Sequence, residues 1–172
     1  MKKFLFLLIA GISMTASSFA QSHSNRISAG VGIMYPNSLD ATISWESETK
    51  YHNSWEFFAN ANLKWDECES CGHICPESFW NNYCTWGLGV AYKPCVFRAR
   101  NSYGNVRIGA SAGSNTNCFI GGFHIGYEQN YSLRNGWGLY WQAKCDMIIP
   151  DREDLFRTGL TVGIKFPSIK NH

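Results

Sequence analysis

The sequence predicts an all-β protein, specifically an eight-stranded antiparallel outer-membrane β-barrel, on three observations. Apolar residues alternate with polar or small ones along most of the chain after residue 20, the period of a strand with one apolar face. The opposite face is rich in glycine, serine, threonine and alanine, which suit the narrow interior of an eight-stranded barrel better than the outer face of a soluble sandwich. Aromatic residues lie near the ends of the apolar runs, as at membrane interfaces. They are Trp45, Trp55, Trp65, Trp86, Tyr92, Tyr127, Trp137 and Phe166.

The first twenty residues have the features of an export signal. Lys2 and Lys3 precede an apolar run over 4–12, and Ser18-Phe19-Ala20 provides a small-x-small cleavage site. We therefore predict a cleaved signal peptide over 1–20 and a single barrel domain over 21–172, because no linker-like stretch divides the remainder. The predicted location is the outer membrane of the cell.

Charge and hydropathy exclude two other classes of protein. The chain has 15 Lys and Arg against 13 Asp and Glu, and loss of Lys2 and Lys3 leaves the two signs equal. A nucleic-acid binder that relies on a basic face is therefore disfavoured, and no direct nucleic-acid partner is expected. No apolar run after residue 20 approaches the roughly 18 residues of a membrane-spanning helix.

The first three predicted strands alternate clearly. Strand one, 27–33, alternates aliphatic residues with serine and glycine. Strand two, 39–45, follows the turn-like Pro36-Asn37-Ser38 and alternates apolar residues with aspartate, threonine and serine. Strand three, 55–65, has tryptophan, phenylalanine, alanine and leucine on one face, and Phe58 interrupts its polar face.

The other five strands continue the pattern. Strand four, 85–92, and strand five, 105–113, place glycine, serine or alanine at most positions opposite the apolar set. Strand six, 119–128, alternates large apolar residues with glycine, His124 and an acidic residue. Strand seven, 137–147, and strand eight, 156–166, carry charged residues opposite the apolar set, and the last strand ends in an aromatic residue.

An eight-stranded barrel is filled by its own side chains, so no wide pore is expected. The charged residues on the predicted inner face are nearly balanced in sign, and we expect them to pair with each other. They are Asp40, Glu46, Glu56, Lys64, Arg107, Glu128, Lys144, Asp146, Arg157 and Lys165. With both chain ends in the periplasm, the outer loops are 68–82, 115–118 and 149–155, and the inner turns are 47–53, 93–103 and 130–135.

Seven cysteines follow the signal segment, and four of them form a candidate disulfide loop: Cys68, Cys71, Cys75 and Cys84. Their spacing, with His73 among them, also resembles a zinc site, but export to an oxidising compartment favours disulfides. Four cysteines allow three pairings, so the connectivity stays open. Cys145 lies on the apolar face of its strand and is expected to be a free thiol, and Cys95 and Cys118 are expected at opposite ends of the barrel. No metal or other cofactor is predicted.

The sequence contains one candidate catalytic combination, of a serine, a histidine and an acid. His124 and Glu128 lie on the same face of one strand, and Ser111 is placed on the neighbouring strand. Residues i and i+4 on a strand are about 13 Å apart, so this histidine and glutamate cannot pair directly. The sequence therefore predicts structural polar groups in the barrel and no enzyme.

The order of segments resembles the TraO family of conjugal transfer proteins, which are outer-membrane components encoded on conjugative transposons. The resemblance rests on Val106-Arg107-Ile108-Gly109-Ala110-Ser111-Ala112-Gly113, on Phe119-Ile120-Gly121-Gly122 leading to Tyr127-Glu128, and on Gly159-Leu160-Thr161-Val162-Gly163-Ile164-Lys165-Phe166. It implies a non-enzymatic structural or assembly role in a conjugative DNA-transfer apparatus, with outer-membrane lipid and other transfer proteins as partners. The alternatives are a lipid-modifying, adhesin or porin-like barrel.

Overall fold

A computed structural model of the protein describes residues 22–49, 51–65, 84–115, 118–133, 136–149 and 155–168. The described chain forms nine strand segments. They are β1 (Ser22–Tyr35), β2 (Ser38–Thr49), β3 (Ser54–Lys64), β4 (Cys84–Lys93), β5 (Cys95–Arg98), β6 (Ser102–Ser114), β7 (Phe119–Ser132), β8 (Gly138–Ile149) and β9 (Phe156–Pro167). No helix able to cross a membrane is present in these residues.

The strands close into an antiparallel barrel with eight positions. Apart from β4 and β5, strands that are consecutive in sequence pair with each other, and the barrel closes where β1 pairs with β9. The segments β4 and β5 both pair with β6, so β5 continues β4 along the same neighbour. Pro94 separates the two segments because proline has no backbone N–H to donate to the ladder, although its carbonyl oxygen still accepts from the Val106 N–H at 3.0 Å. The predicted eight-stranded barrel is confirmed.

The region predicted as one long inner turn, 93–103, is mostly strand. The segment β5 and the first residues of β6 extend the pairing beyond the last apolar residue of β4. The alternation of apolar and polar residues ends where the wall extends beyond its apolar outer zone. The periodicity of the sequence therefore does not reveal this extension. The connection between β5 and β6 is therefore short.

The two faces of the wall have opposite chemistry. Outward side chains are apolar and exposed, as at Val31, Ile43, Leu160 and Val162, while inward positions are mainly charged or polar and buried. A soluble protein rarely exposes apolar surface on this scale, whereas lipid covers it in a membrane barrel. The alternation in the sequence thus corresponds to a lipid-facing outside and a polar inside.

Aromatic side chains mark both ends of the wall. At the end that carries the described chain termini, four outward ring pairs lie with centroids 4.7–5.8 Å apart. These pairs are Trp45–Phe57, Trp55–Tyr92, Tyr127–Trp141 and Trp137–Phe166. At the opposite end, Trp86 and Phe119 are exposed near strand ends. This arrangement has the form of the aromatic girdles that border the apolar band of membrane barrels.

Phe58 and Tyr140 point inward, and glycines make room for both rings. Phe58, which interrupts the polar face of its strand in the sequence, is buried inside the barrel. A Cβ atom at Gly89 on the paired strand would lie 2.4 Å from Cζ of Phe58. Tyr140 is buried in the same way, and a Cβ at Gly30 would lie 2.3 Å from its hydroxyl. Inward glycines are therefore required where large rings occupy the narrow lumen.

Candidate functional site

An ion-pair ring of four buried residues crosses the lumen in the half of the barrel that carries the described termini. The ring consists of Glu46, Lys93, Glu128 and Lys165, which lie on β2, β4, β7 and β9, every second strand around the barrel. Lys93 Nζ lies 2.5 Å from Glu46 and 2.6 Å from Glu128, and Lys165 Nζ lies 2.7 Å from Glu46 and 2.6 Å from Glu128. Each charge thus contacts two opposite charges. Side chains of alternate strands form one layer, as is usual in small barrels.

A further ion pair extends the ring on one side. Arg107 Nε donates to Glu56 Oε2 at 2.9 Å, and Lys93 Nζ lies 3.0 Å from the same oxygen. The Arg107 guanidinium also stacks on the Phe58 ring, 4.3 Å from its centroid. These groups are all buried, so their charges are held by each other and not by bulk water.

The inner mouth of the barrel, at the end with the described termini, is also filled. Arg26 Nε lies 3.1 Å from Glu48 Oε2, and Arg26 Nη1 donates to the Tyr103 hydroxyl at 3.1 Å. His52 pairs with Glu48 and stacks on Tyr103 at a centroid distance of 4.3 Å. Side chains therefore fill the lumen from the ion-pair ring to this end.

Nearer the other end, a polar network connects three consecutive strands. His124 Nδ1 lies 2.7 Å from Asp146 Oδ1, and His124 Nε2 lies 2.7 Å from Ser111 Oγ. Lys144 Nζ lies 2.8 Å from Asp40 Oδ2 and 3.5 Å from Asp146 Oδ2. The acid beside His124 is thus on the neighbouring strand β8. Glu128, as expected, does not contact His124 and belongs to the ion-pair ring.

Most of the predicted lumen charges pair as expected, with two qualifications. Lys64 is only half-buried at the end of β3. Lys93 is absent from the predicted set, although the structure places it in the ring. The alternation 85, 87, 89, 91 leads directly to position 93 and could have identified this lysine. The predicted strand ends at Tyr92 because the alternating apolar residues of its outward face end there.

The candidate disulfide loop falls largely outside the described residues. Cys68, Cys71 and Cys75 are in that part of the chain, while Cys84 begins β4 and is half-buried. No disulfide joins any two of the four described cysteines. Cys95 and Cys118 lie at opposite ends of the barrel, as predicted, and Cys145 is a half-buried outward thiol. The disulfide loop remains a prediction.

Among the described side chains, no group of three or more His, Cys, Asp and Glu residues is placed to hold a metal ion. The acidic groups of the lumen instead contact lysine, arginine or histidine at short range. The described lumen side chains offer charge pairing and the serine, histidine and aspartate network.

The barrel is similar to known transmembrane barrels. A de novo designed transmembrane β-barrel superposes with a TM-score of 0.53 at 11% identity, covering 86% of this chain and 97% of that one. The crystal structure of neisserial surface protein A superposes with a TM-score of 0.52 at 8% identity, covering 84% and 95% of the two chains. No protein-family model and no curated protein matches the sequence. These similarities show the fold: a small outer-membrane-type barrel of eight strands.

Proposed function

We propose that this protein resides in the outer membrane and serves as a structural or assembly component of a conjugative DNA-transfer apparatus. The observation that carries the structural part is the ion-pair ring, which fills the lumen with buried charges 2.5–2.9 Å apart. A barrel closed in this way acts through its lipid-facing wall and its two ends. The link to conjugation is supported by the resemblance of the three glycine-rich segments to the TraO family.

The proposed partners are outer-membrane lipid and other proteins of the apparatus. An envelope-spanning apparatus reaches the barrel from the periplasm, where we place the end with the described termini. Exposed groups at that end include Arg98, Arg100 and Leu133. Arg98 donates to the Tyr51 carbonyl oxygen and lies 5.4 Å from the centroid of its ring, which holds this cation in a defined place. The proposed role requires no reaction and no direct contact with nucleic acid.

The test is the conjugation frequency of a donor strain from which this gene is deleted in frame. We expect transfer to be lost and to be restored by a plasmid copy. A copy with Arg98→Glu and Arg100→Glu should restore transfer poorly, whereas Asn37→Asp at the turn on the opposite end should restore it fully. Both variant proteins must reach the outer membrane in equal amounts. Undiminished transfer in the deletion strain would exclude the role.

The porin-like alternative makes a different prediction for the same protein. A porin needs a continuous aqueous path, and the ring of opposite charges blocks that path inside the lumen. The purified barrel in a planar bilayer should give no steady conductance at neutral pH. A stable open channel would favour the porin-like alternative over an assembly role.

A further inference from the structure

The polar network near the β6–β7 end has the geometry of a hydrolytic triad. Ser111, His124 and Asp146 lie on the consecutive strands β6, β7 and β8, and two contacts of 2.7 Å connect them in that order. With its proton on Nδ1, the imidazole donates to Asp146 and its Nε2 accepts from the serine hydroxyl. This is the tautomer that a general base needs, and the aspartate holds the ring in that orientation.

Packing fixes the histidine ring in this position. His124 is 4% exposed, and the edge of its ring meets Phe58 at a centroid distance of 5.1 Å and an angle of 87°. The strand register pairs His124 with Asp146, so their alignment is set by the backbone ladder. Rigid strands position such groups more accurately than loops do.

A cavity lies beside the serine. It has a volume of about 20 Å³, enough for one water molecule, and it is lined by both Ser111 and His124. Gly122 faces Ser111 across the β6–β7 ladder, and a Cβ there would lie 2.7 Å from Ser111 Oγ and 3.1 Å from His124 Nε2. The absence of a side chain at Gly122 therefore keeps the space next to the hydroxyl open.

The cavity wall also carries a cation and a buried polar acceptor. The Arg157 guanidinium lines the cavity and donates from Nη1 to Thr85 Oγ1 at 2.8 Å. A cation in this wall stabilises negative charge on a carbonyl oxygen. Asn62 also lines the cavity and is 2% exposed, yet its Oδ1 has no hydrogen-bond partner within the described part of the chain. A buried acceptor of this kind fits a substrate hydroxyl, since leaving it unpaired is costly.

We propose that Ser111, His124 and Asp146 hydrolyse short acyl esters of hydroxylated compounds, such as acetyl esters of sugars. Ser111 Oγ attacks the ester carbonyl carbon while its proton passes to His124 Nε2. The carbon–oxygen bond to the alcohol then breaks, and His124 gives the proton to the departing oxygen. Water attacks the acyl-serine by the same route, releases the carboxylic acid and restores Ser111. The cavity has room for a group no larger than a methyl, which restricts the acyl group to acetyl and excludes a long acyl chain.

This activity is additional to the proposed role in conjugation and does not depend on it. From the sequence, Glu128 is the candidate acid and lies too far from His124, whereas the structure places Asp146 beside the histidine. A structural role for the network is the competing explanation, and it predicts an unreactive serine.

The test is covalent labelling of the purified, folded barrel in detergent with methanesulfonyl fluoride, a small reagent that sulfonylates an activated serine and releases fluoride, read by intact mass and peptide mapping. We expect one adduct, on Ser111, and none in Ser111→Ala. Labelling should slow by at least about 100-fold in Asp146→Asn and His124→Gln, as is typical for loss of general-base assistance. Ser44→Ala is the matched control, because Ser44 is a buried lumen serine whose hydroxyl pairs with another serine hydroxyl, Ser28 Oγ at 2.6 Å, and not with a histidine.

A second pair of variants tests the cavity without changing the triad. Gly122→Ala should abolish labelling, whereas Gly121→Ala should not, since a Cβ there meets only Ile149 O at 3.8 Å. The wild-type barrel should also hydrolyse p-nitrophenyl acetate and leave p-nitrophenyl palmitate intact. Folding of every variant is checked by heat-modifiable migration in electrophoresis. A folded wild-type barrel without an adduct, or equal labelling of wild type and Asp146→Asn, would overturn the proposal.

Discussion

Replacing Lys93 by methionine tests whether the ion-pair ring holds the barrel together. Lys93 Nζ contacts three buried carboxylates, Glu46 at 2.5 Å, Glu128 at 2.6 Å and Glu56 at 3.0 Å. The substitution leaves three acidic groups with only Lys165 and Arg107 as cations of the cluster. Breaking a buried ion pair from one side typically costs about 3–5 kcal/mol, because the remaining charge stays buried without compensation.

The measurement is urea unfolding in lipid vesicles, followed by tryptophan fluorescence. With a denaturant slope of about 2 kcal/mol/M, the expected loss lowers the midpoint by about 1.5–2.5 M. The exposed Arg100→Met variant, which also removes one cation, should change the free energy of unfolding by no more than about 0.5 kcal/mol. A loss below about 1 kcal/mol for Lys93→Met would refute the reasoning.

The double variant Lys93→Met with Glu128→Gln distinguishes charge balance from packing. It leaves Glu46 beside Lys165 and Glu56 beside Arg107, so the cluster is again neutral. We expect the double variant to be more stable than the sum of the two single losses by at least about 1 kcal/mol. Strict additivity would show that the ring contributes through packing alone.

Two further predictions concern the wall. Val31→Arg places a charge at mid-strand on the outward face, where the valine is 56% exposed, and should lower the free energy of unfolding in vesicles by about 2–4 kcal/mol. The control Tyr35→Arg, at the strand end, should lower it by about 0–1 kcal/mol. Equal losses would contradict a lipid-facing band. Gly89→Ala brings a Cβ within 2.4 Å of Phe58 and should lower the free energy of unfolding in urea by about 1–3 kcal/mol. The control Gly121→Ala should leave it nearly unchanged. Similar stability of the two variants would show that the lumen has more room than the structure indicates.

The strand pattern was predictable because it depends on local geometry. Successive side chains of a strand point to opposite faces, so alternation alone separates the lipid-facing residues from the lumen residues. The eight strands and the inward position of Glu46, Glu128 and Lys165 follow from this rule. Phe58 departs from this alternation because Gly89 on the paired strand makes room for its ring inside the barrel. The periodicity of one strand contains no information about space that a neighbouring strand provides.

The sequence by itself determined which side chains face the lumen, while only the tertiary structure decided which of them meet. Glu46 and Lys165 are 119 residues apart in the chain, and their contact depends on barrel closure between β1 and β9. The acid beside His124 is Asp146 because the stagger of β8 against β7 places those two residues opposite each other. Stagger between strands is a property of the closed barrel, and the period of a single strand carries no information about it.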